Sequence, residues 1–436
     1  MTIARRPAPV QDAPPQETVL VPPPGAATGV PTVGPGGPPF AEGPARSSAG
    51  VEPELPPGPV SVALLLPLSG PSADLAAAML DAAQMALFDI GATEVVLLPK
   101  DTEGTPAGAR RAADAALADG ASLILGPLFS GSVAAVAPLA EAAGVTVVAF
   151  SSDRKVAGPG VFVMGFLPEQ QVERVVTFAA EREFTRFAAL APASSYGQTV
   201  VRELRRVAVA TTTDVVEVVF FPPDIQAASD VADIVRVFVN YDQRRQALLD
   251  QRALLEARDD EVSREALRRL ETLDTLGEVD FDAVLVPEGG RRLLAVAPLL
   301  PFYDVVANEV KLLGTAQWES AVAEKEPSLF GGWFAAPPPE ARTEFETRFT
   351  KIYGRAPPRI ATLAYDAVAL AGALTRASGE AGFDAGLLTD EGGFRGVDGL
   401  FRFAPDGSNE RGLAVLEVTR KGLVTVSSAP KSFIGF

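Results

Sequence analysis

From Pro59 onward the chain alternates short, unbroken apolar runs with longer segments that carry apolar residues at helical spacing. VSVALLL (60–66) leads through PLSGPS into a helix from about Ala73 to Asp89. EVVLLPKD (94–101) precedes TPAGARRAADAALADG, SLILGP (122–127) precedes a helix over Val133–Ala143, and VTVVAFSS (145–152) runs into a loop. A run that is apolar at every position is covered on both faces, so these read as parallel strands with helices on either side. After VFVMGF (161–166) the pattern restarts with helix Pro168–Glu183, strand FAALAP (187–192), and SSYGQT opening the helix Val200–Val209. VVEVVFFP (215–222), FDAVLVP (281–287) and VKLLGT (310–315) continue it. The fold class is therefore α/β: two doubly wound lobes with a cleft between them and right-handed crossovers.

Three stretches break the alternation. Residues 231–277 mix apolar positions at helical spacing with dense charge of both signs, which predicts a long helix or helical hairpin inserted in lobe two. It is either a solvated face or a docking surface. RIATLAYDAVALAGAL (359–374) is a strongly apolar helix, and 392–427 is a run of short strands with Asp-Gly and Lys-Gly turns, hence an antiparallel edge. Residues 1–57 are Pro/Gly/Ala-rich with no period of either kind, so they are expected to be a disordered spacer.

Composition narrows the chemistry. The 436 residues are 47% hydrophobic and carry a net charge of −17, so no nucleic-acid partner is expected. There is no histidine and no cysteine. That excludes Ser-His-Asp and Cys-His nucleophile pairs, imidazole or thiolate zinc sites, and disulfides. The reading is accordingly not an enzyme, with no catalytic residue, metal or cofactor. GxGxxG is missing after the first strand and no GxxxxGK[ST] occurs. No apolar run approaches the roughly 20 residues of a membrane helix, and MTIARRPAPVQDAPPQ lacks the apolar core of a signal peptide.

In an open α/β sheet, ligands bind at the carboxyl ends of the strands, where helix N-termini point outward. The residues placed there are Ser69, Ser130, Ser132, Ser151, Ser152 and Asp153 in the first lobe, and Ser195, Tyr196, Glu288 and Gln317 in the second. Helix ends and hydroxyls would hold a carboxylate, and Asp153 or Glu288 an ammonium. That arrangement suits an amino acid or short peptide. Each Ser alone is also an ordinary helix cap, worth about 1 kcal/mol.

PLSG after the first strand, DT after the second, DGASLILGPL before the third helix and SSYGQ opening the second lobe resemble the type I periplasmic binding proteins of the leucine-binding group. The resemblance implies that Ser130 and Ser151–Asp153 hold the ligand's charged ends and that Tyr196 supplies a second-lobe aromatic. Where that group usually carries Thr and small residues, this chain has SSDRK. A closer resemblance, carried by AGPGVFVMGFLPEQQVERVV, the insertion before FDAVLVP, and the ending GVDGLFRFAPDGSNERGLAVLEVTRKGLVTVS, is to the penicillin-binding protein activators. It implies a non-enzymatic regulator that supports peptidoglycan synthesis by contacting a synthase, a bifunctional penicillin-binding protein. It also implies a periplasmic site with an outer-membrane lipid anchor, although the sequence shows no lipobox cysteine. The alternative is the solute-binding component of an amino-acid transporter. Expected boundaries are 58–166 and 337–396 for lobe one, and 167–336 and 397–430 for lobe two.

Overall fold

The computed structural model describes residues 59–434 apart from 92, 259, 307–308, 321–324, 379–382 and 384. The expected disorder of 1–57 lies outside the described residues.

The first sheet contains β1 (Val60–Leu66), β2 (Val95–Asp101), β3 (Leu123–Leu125), β4 (Thr146–Ala149) and β5 (Val161–Val163). Its order is β2-β1-β3-β4-β5 and every pairing is parallel. Between the strands run α1 (Ala73–Ile90), α2 (Pro106–Ala118) and α3 (Ser130–Ala143). Val62, Leu64 and Leu66 pack toward α1, while Ala63 and Leu65 pack toward α2 and α3, so alternate residues of one strand feed two separate cores. This is why β1 is apolar and buried throughout from Val62 to Leu66. The turn after β3 needs a glycine: Gly126 has φ +90, and a Cβ there would lie 2.3 Å from the carbonyl oxygen of Leu65.

The second sheet starts after α4 (Pro168–Ala180) with β6 (Arg186–Pro192), then α5 (Ser195–Thr211) and β7 (Asp214–Phe221). The insertion follows as α6 (Ala232–Phe238), α7 (Tyr241–Glu256) and α8 (Glu261–Leu270). Next come β8 (Ala283–Leu285), α9 (Gly290–Val296), α10 (Leu299–Phe302), β9 (Lys311–Thr315) and β10 (Trp333–Ala336). The insertion is thus three helices, with Asn240 in the left-handed region breaking α6 from α7. Arg244 anchors it, its Nε donating to the Gly277 carbonyl at 3.0 Å and its Nη2 to the Asp304 carbonyl at 3.0 Å.

Two helices, α11 (Pro339–Tyr353) and α12 (Ala361–Ser378), return to the first lobe. Alanines at 78 and 82 on α1 and at 361 on α12 leave room for Phe345 and Phe349 of α11. After the short α13 (Ala385–Leu388), the strands β11 (Phe394–Gly396), β12 (Gly399–Phe403) and β13 (Asn409–Arg411) form a small antiparallel sheet. Then β14 (Ala414–Thr419) and β15 (Gly422–Ser427) close the second sheet, whose order is β15-β14-β10-β9-β8-β6-β7. The expected return to lobe two at residue 397 differs from this packing. Phe401 and Phe403 belong to the core of the first lobe, Phe403 meets Phe162 edge-on at 5.4 Å, and Val163 N–H donates to the Gly407 carbonyl. The chain crosses back near Gly412, because the aromatic side of β12 completes the first core before β14 pairs with β10.

Candidate functional site

The carboxyl ends of the strands from both lobes meet at two adjoining chambers. The smaller, about 300 Å³, is lined by Leu128, Phe129, Ser130, Ser151, Ser152, Asp153 and Lys155 of the first lobe and by Pro168, Glu169, Ser195, Tyr196 and Thr199. The larger, about 750 Å³, shares Leu128, Phe129, Ser152, Pro168 and Tyr196 with it. It extends between Leu75, Phe150, Phe166, Ile360 and Leu363 on one side and Gly289, Arg292 and Gln317 on the other.

Local sequence explains how each loop is held. Ser151 Oγ accepts the Asp153 N–H at 3.1 Å, and Asp153 Oδ1 accepts the Lys155 N–H at 3.1 Å, which turns the SSDRK segment tightly off β4. Ser194, not Ser195, caps α5 by accepting the Gly197 N–H at 3.2 Å, so Ser195 is exposed to the chamber. Tyr196 is nearly buried; its hydroxyl sits 2.9 Å from Thr315 Oγ1. Burial pushes its pKa up to about 12, hydrogen bonds to Thr315 and Gln317 notwithstanding, so it stays a neutral phenol. Gln171 of α4 accepts the Ala316 N–H at 2.8 Å and fixes the loop that carries Gln317.

Seven of the ten residues chosen from the sequence line a chamber: Ser130, Ser151, Ser152, Asp153, Ser195, Tyr196 and Gln317. Three are elsewhere. Ser69 is turned to β2, where its N–H donates to Asp101 Oδ1 at 3.2 Å. Ser132 is buried inside the first turn of α3 and its Oγ has no hydrogen-bond partner. Glu288 is 2% exposed and is committed to Arg292, whose Nη2 lies 2.9 Å from Oε1. It faces its own helix rather than the cavity, so it is not placed to take an ammonium there.

An ionic cluster without a local sequence signal lies behind the larger chamber. Glu319, which follows β9, bridges Arg342 and Arg359 of the first lobe; its Oε2 accepts from Arg359 Nε at 2.8 Å. Arg359 Nη1 is also 2.9 Å from Asp398 Oδ1, close as charges although not aligned as a hydrogen bond. Beneath them Asp366 accepts the Val397 N–H at 2.7 Å. Burial, and then the Asp398 carboxylate, push its pKa up to about 7. Arg411 is fully enclosed, and burial lowers its basicity against the pull of Asp398 and Asp366. The ring of Phe166, where the chain first crosses, meets the guanidiniums of both Arg359 and Arg411, 4.4 Å and 4.8 Å from its centre.

This geometry has known counterparts. A model of periplasmic binding proteins matches residues 59–240. A substrate-binding protein of an ABC transporter from Sphaerobacter thermophilus superposes with a TM-score of 0.63 at 19% identity, covering 86% of this chain and 98% of that one. The closed leucine-, isoleucine-, valine-, threonine- and alanine-binding protein of Brucella ovis gives 0.61 at 16%, covering 87% and 93%. The chain has the type I periplasmic binding protein fold. A solute-binding protein from Rhodopseudomonas palustris in complex with 3,4-dihydroxybenzoic acid shares this binding-protein fold, with a TM-score of 0.58 at 15% identity over 85% and 98% of the two chains. An uncharacterized protein of Rickettsia prowazekii is 25% identical over 183 residues, 40% of this chain. The match spans about half that relative's length, 49%.

Proposed function

We propose that the chain is a non-enzymatic periplasmic binding protein that closes its two lobes on a small organic solute, the solute-binding role of a transport system. The observation that carries this reading is the pair of adjoining chambers lined by both lobes at the carboxyl ends of their strands. A cleft filled by side chains would have favoured contact with a protein instead. Loop hydroxyls, Gln317 and Tyr196 supply polar anchors, and the phenylalanines at 129, 150 and 166 supply apolar wall. By their names, the Brucella ovis protein binds aliphatic amino acids and the Rhodopseudomonas palustris protein holds an aromatic acid. Both are solutes of a size that chambers of 300 and 750 Å³ accept. Without histidine or cysteine, binding rather than bond-making is the reading the residues favour.

A second reading, contact with a peptidoglycan synthase from a lipid-anchored position at the outer membrane, draws on the α7–α8 hairpin. Leu254 and Val262 there are 60% and 79% exposed, beside a hollow of about 720 Å³. The test is a thermal-shift series with amino acids, aromatic acids and peptidoglycan fragments, run beside capture of a purified bifunctional synthase. A solute at 100 times its dissociation constant should add about 2.7 kcal/mol of stability. Capture of the synthase with no solute-dependent shift would overturn the solute-binding reading.

A further inference from the structure

Ion pairs in this chain sort by lobe. Arg348–Asp89 and Arg355–Asp81 stay inside the first, and Arg206–Glu203 and Arg292–Glu288 stay inside the second. Among the described residues, the pairs that join the lobes both end on Glu319: Oε2 lies 2.8 Å from Arg359 Nε, and Oε1 meets Arg342 Nη1. The Glu319 side chain is 3% exposed and stands on a stiff support. Beside it Trp318 is fully buried, its indole Nε1 donates to the Val286 carbonyl at 3.0 Å, and its ring occupies the space where a Cβ on Gly314 or Gly332 would lie. The Glu319 N–H donates to the Ala316 carbonyl at 3.0 Å, and the Ala316 N–H is in turn held by Gln171.

Both arginines also have a carboxylate within their own lobe. Arg342 Nε is 2.9 Å from Glu346 Oε1, one turn along α11, and Arg359 Nη1 is 2.9 Å from Asp398 Oδ1. If the lobes part, each guanidinium keeps that neighbour, and Glu319, which lines the larger chamber together with Arg359, is released to the solvent entering it. No charge is left alone in an apolar core, the circumstance that makes a buried pair so costly to break. An ion pair ends once its atoms are more than about 4 Å apart, so a hinge motion that widens the chamber breaks both bonds together. We propose that Glu319 is the latch of the cleft: its bonds to Arg342 and Arg359 hold the lobes together, and solute enters or leaves the chambers when they part. This rests on the solute-binding reading above and deepens it, by naming what governs access to the site.

The experiment measures the distance between the lobes in the full chain without solute. Because the chain has no cysteine, Ala134→Cys on α3 and Val209→Cys on α5, both exposed and on opposite lobes, carry one spin label each. Pulsed double electron resonance then reads the label separation. In this background Glu319→Gln, which keeps the shape and removes the charge, should raise the ratio of open to closed molecules about tenfold to a hundredfold, the range for losing a charged hydrogen-bond partner, and so bring in a longer distance. Arg342→Gln, which leaves the Arg359 bond, should fall between. Arg355→Gln, which breaks a pair inside the first lobe, should leave the distances as they are. Melting curves of each variant establish that it is folded. A folded Glu319→Gln chain whose distances match the parent's, or an equal opening in Arg355→Gln, overturns the latch, whatever the thermal-shift series shows of solute binding. If Glu319→Gln opens the lobes and no solute shifts the parent's melting, the latch stands and the solute-binding reading falls.

Discussion

Asp366 offers the sharpest test of the buried ionic cluster. Its carboxyl is enclosed on α12, accepts the Val397 N–H at 2.7 Å, and faces the Asp398 carboxylate and the Arg411 guanidinium. Burial first, and Asp398 second, push its pKa up to about 7 from 3.8. The folded state therefore holds this proton to a higher pH than the unfolded chain does. Stability from Asp366 is present at low pH and is lost as pH rises through the interval between 3.8 and about 7. With about 1.4 kcal/mol per pH unit of that interval, ionised Asp366 costs the folded state about 4 kcal/mol at pH 8. Asp366→Asn keeps an oxygen for the Val397 N–H and removes the titration. Its stability advantage over the parent chain should grow from under about 1 kcal/mol at pH 4 to about 4 kcal/mol at pH 8. Urea unfolding of both chains at pH 4, 5.5, 7 and 8, extrapolated linearly, measures it. Taking the difference between the two chains cancels the carboxylates that do not face Asp366. A difference that stays constant across that range, or shrinks with rising pH, would refute the account of a strained buried acid.

The same packing sets two further outcomes. Glu319→Gln should destabilise the protein by about 3 kcal/mol at pH 7, read as a lower urea midpoint, because breaking a buried pair leaves Arg342 and Arg359 without the charge that joins them across the lobes. Gly126→Ala should lower the midpoint by about 1–3 kcal/mol, since φ is +90 and the added methyl would sit 2.3 Å from the Leu65 carbonyl oxygen; an unchanged midpoint would show that the turn after β3 is free to move.

The parallel strands were legible because burial on both faces leaves a one-dimensional mark. Every residue of β3 and β8 is apolar and buried, and the helices between them carry their own period. The boundary of the lobes was less legible. Phe401 and Phe403 sit in a strand whose alternation fits either core, and contacts such as that of Phe403 with Phe162, 241 residues earlier in the chain, assign it to the first. Three helices in the insertion read as one pattern because Asn240, the residue that bends the chain, is a single polar position among many.

The candidate site shows the same division between local and distant causes. A loop at the carboxyl end of a strand can be located from the strand alone, which is why most of the serines and Tyr196 were found. Whether a charge in such a loop is free depends on partners that arrive from elsewhere. Glu288 is taken by Arg292 one helical turn on, a local pairing that its i,i+4 spacing announces. Glu319 is taken by Arg342 and Arg359, which lie well along the chain on the returning segment and carry no local mark of that role. Glu169 resembles an ordinary first-turn acid, a residue favoured by the helix dipole. The packed structure distinguishes Glu169, which has no ion-pair partner among the described residues, from Glu319, which has two cations. The functional difference among identical side chains is set by which cations reach them, and the lobe that returns late in the chain supplies those cations to one chamber and not to the other.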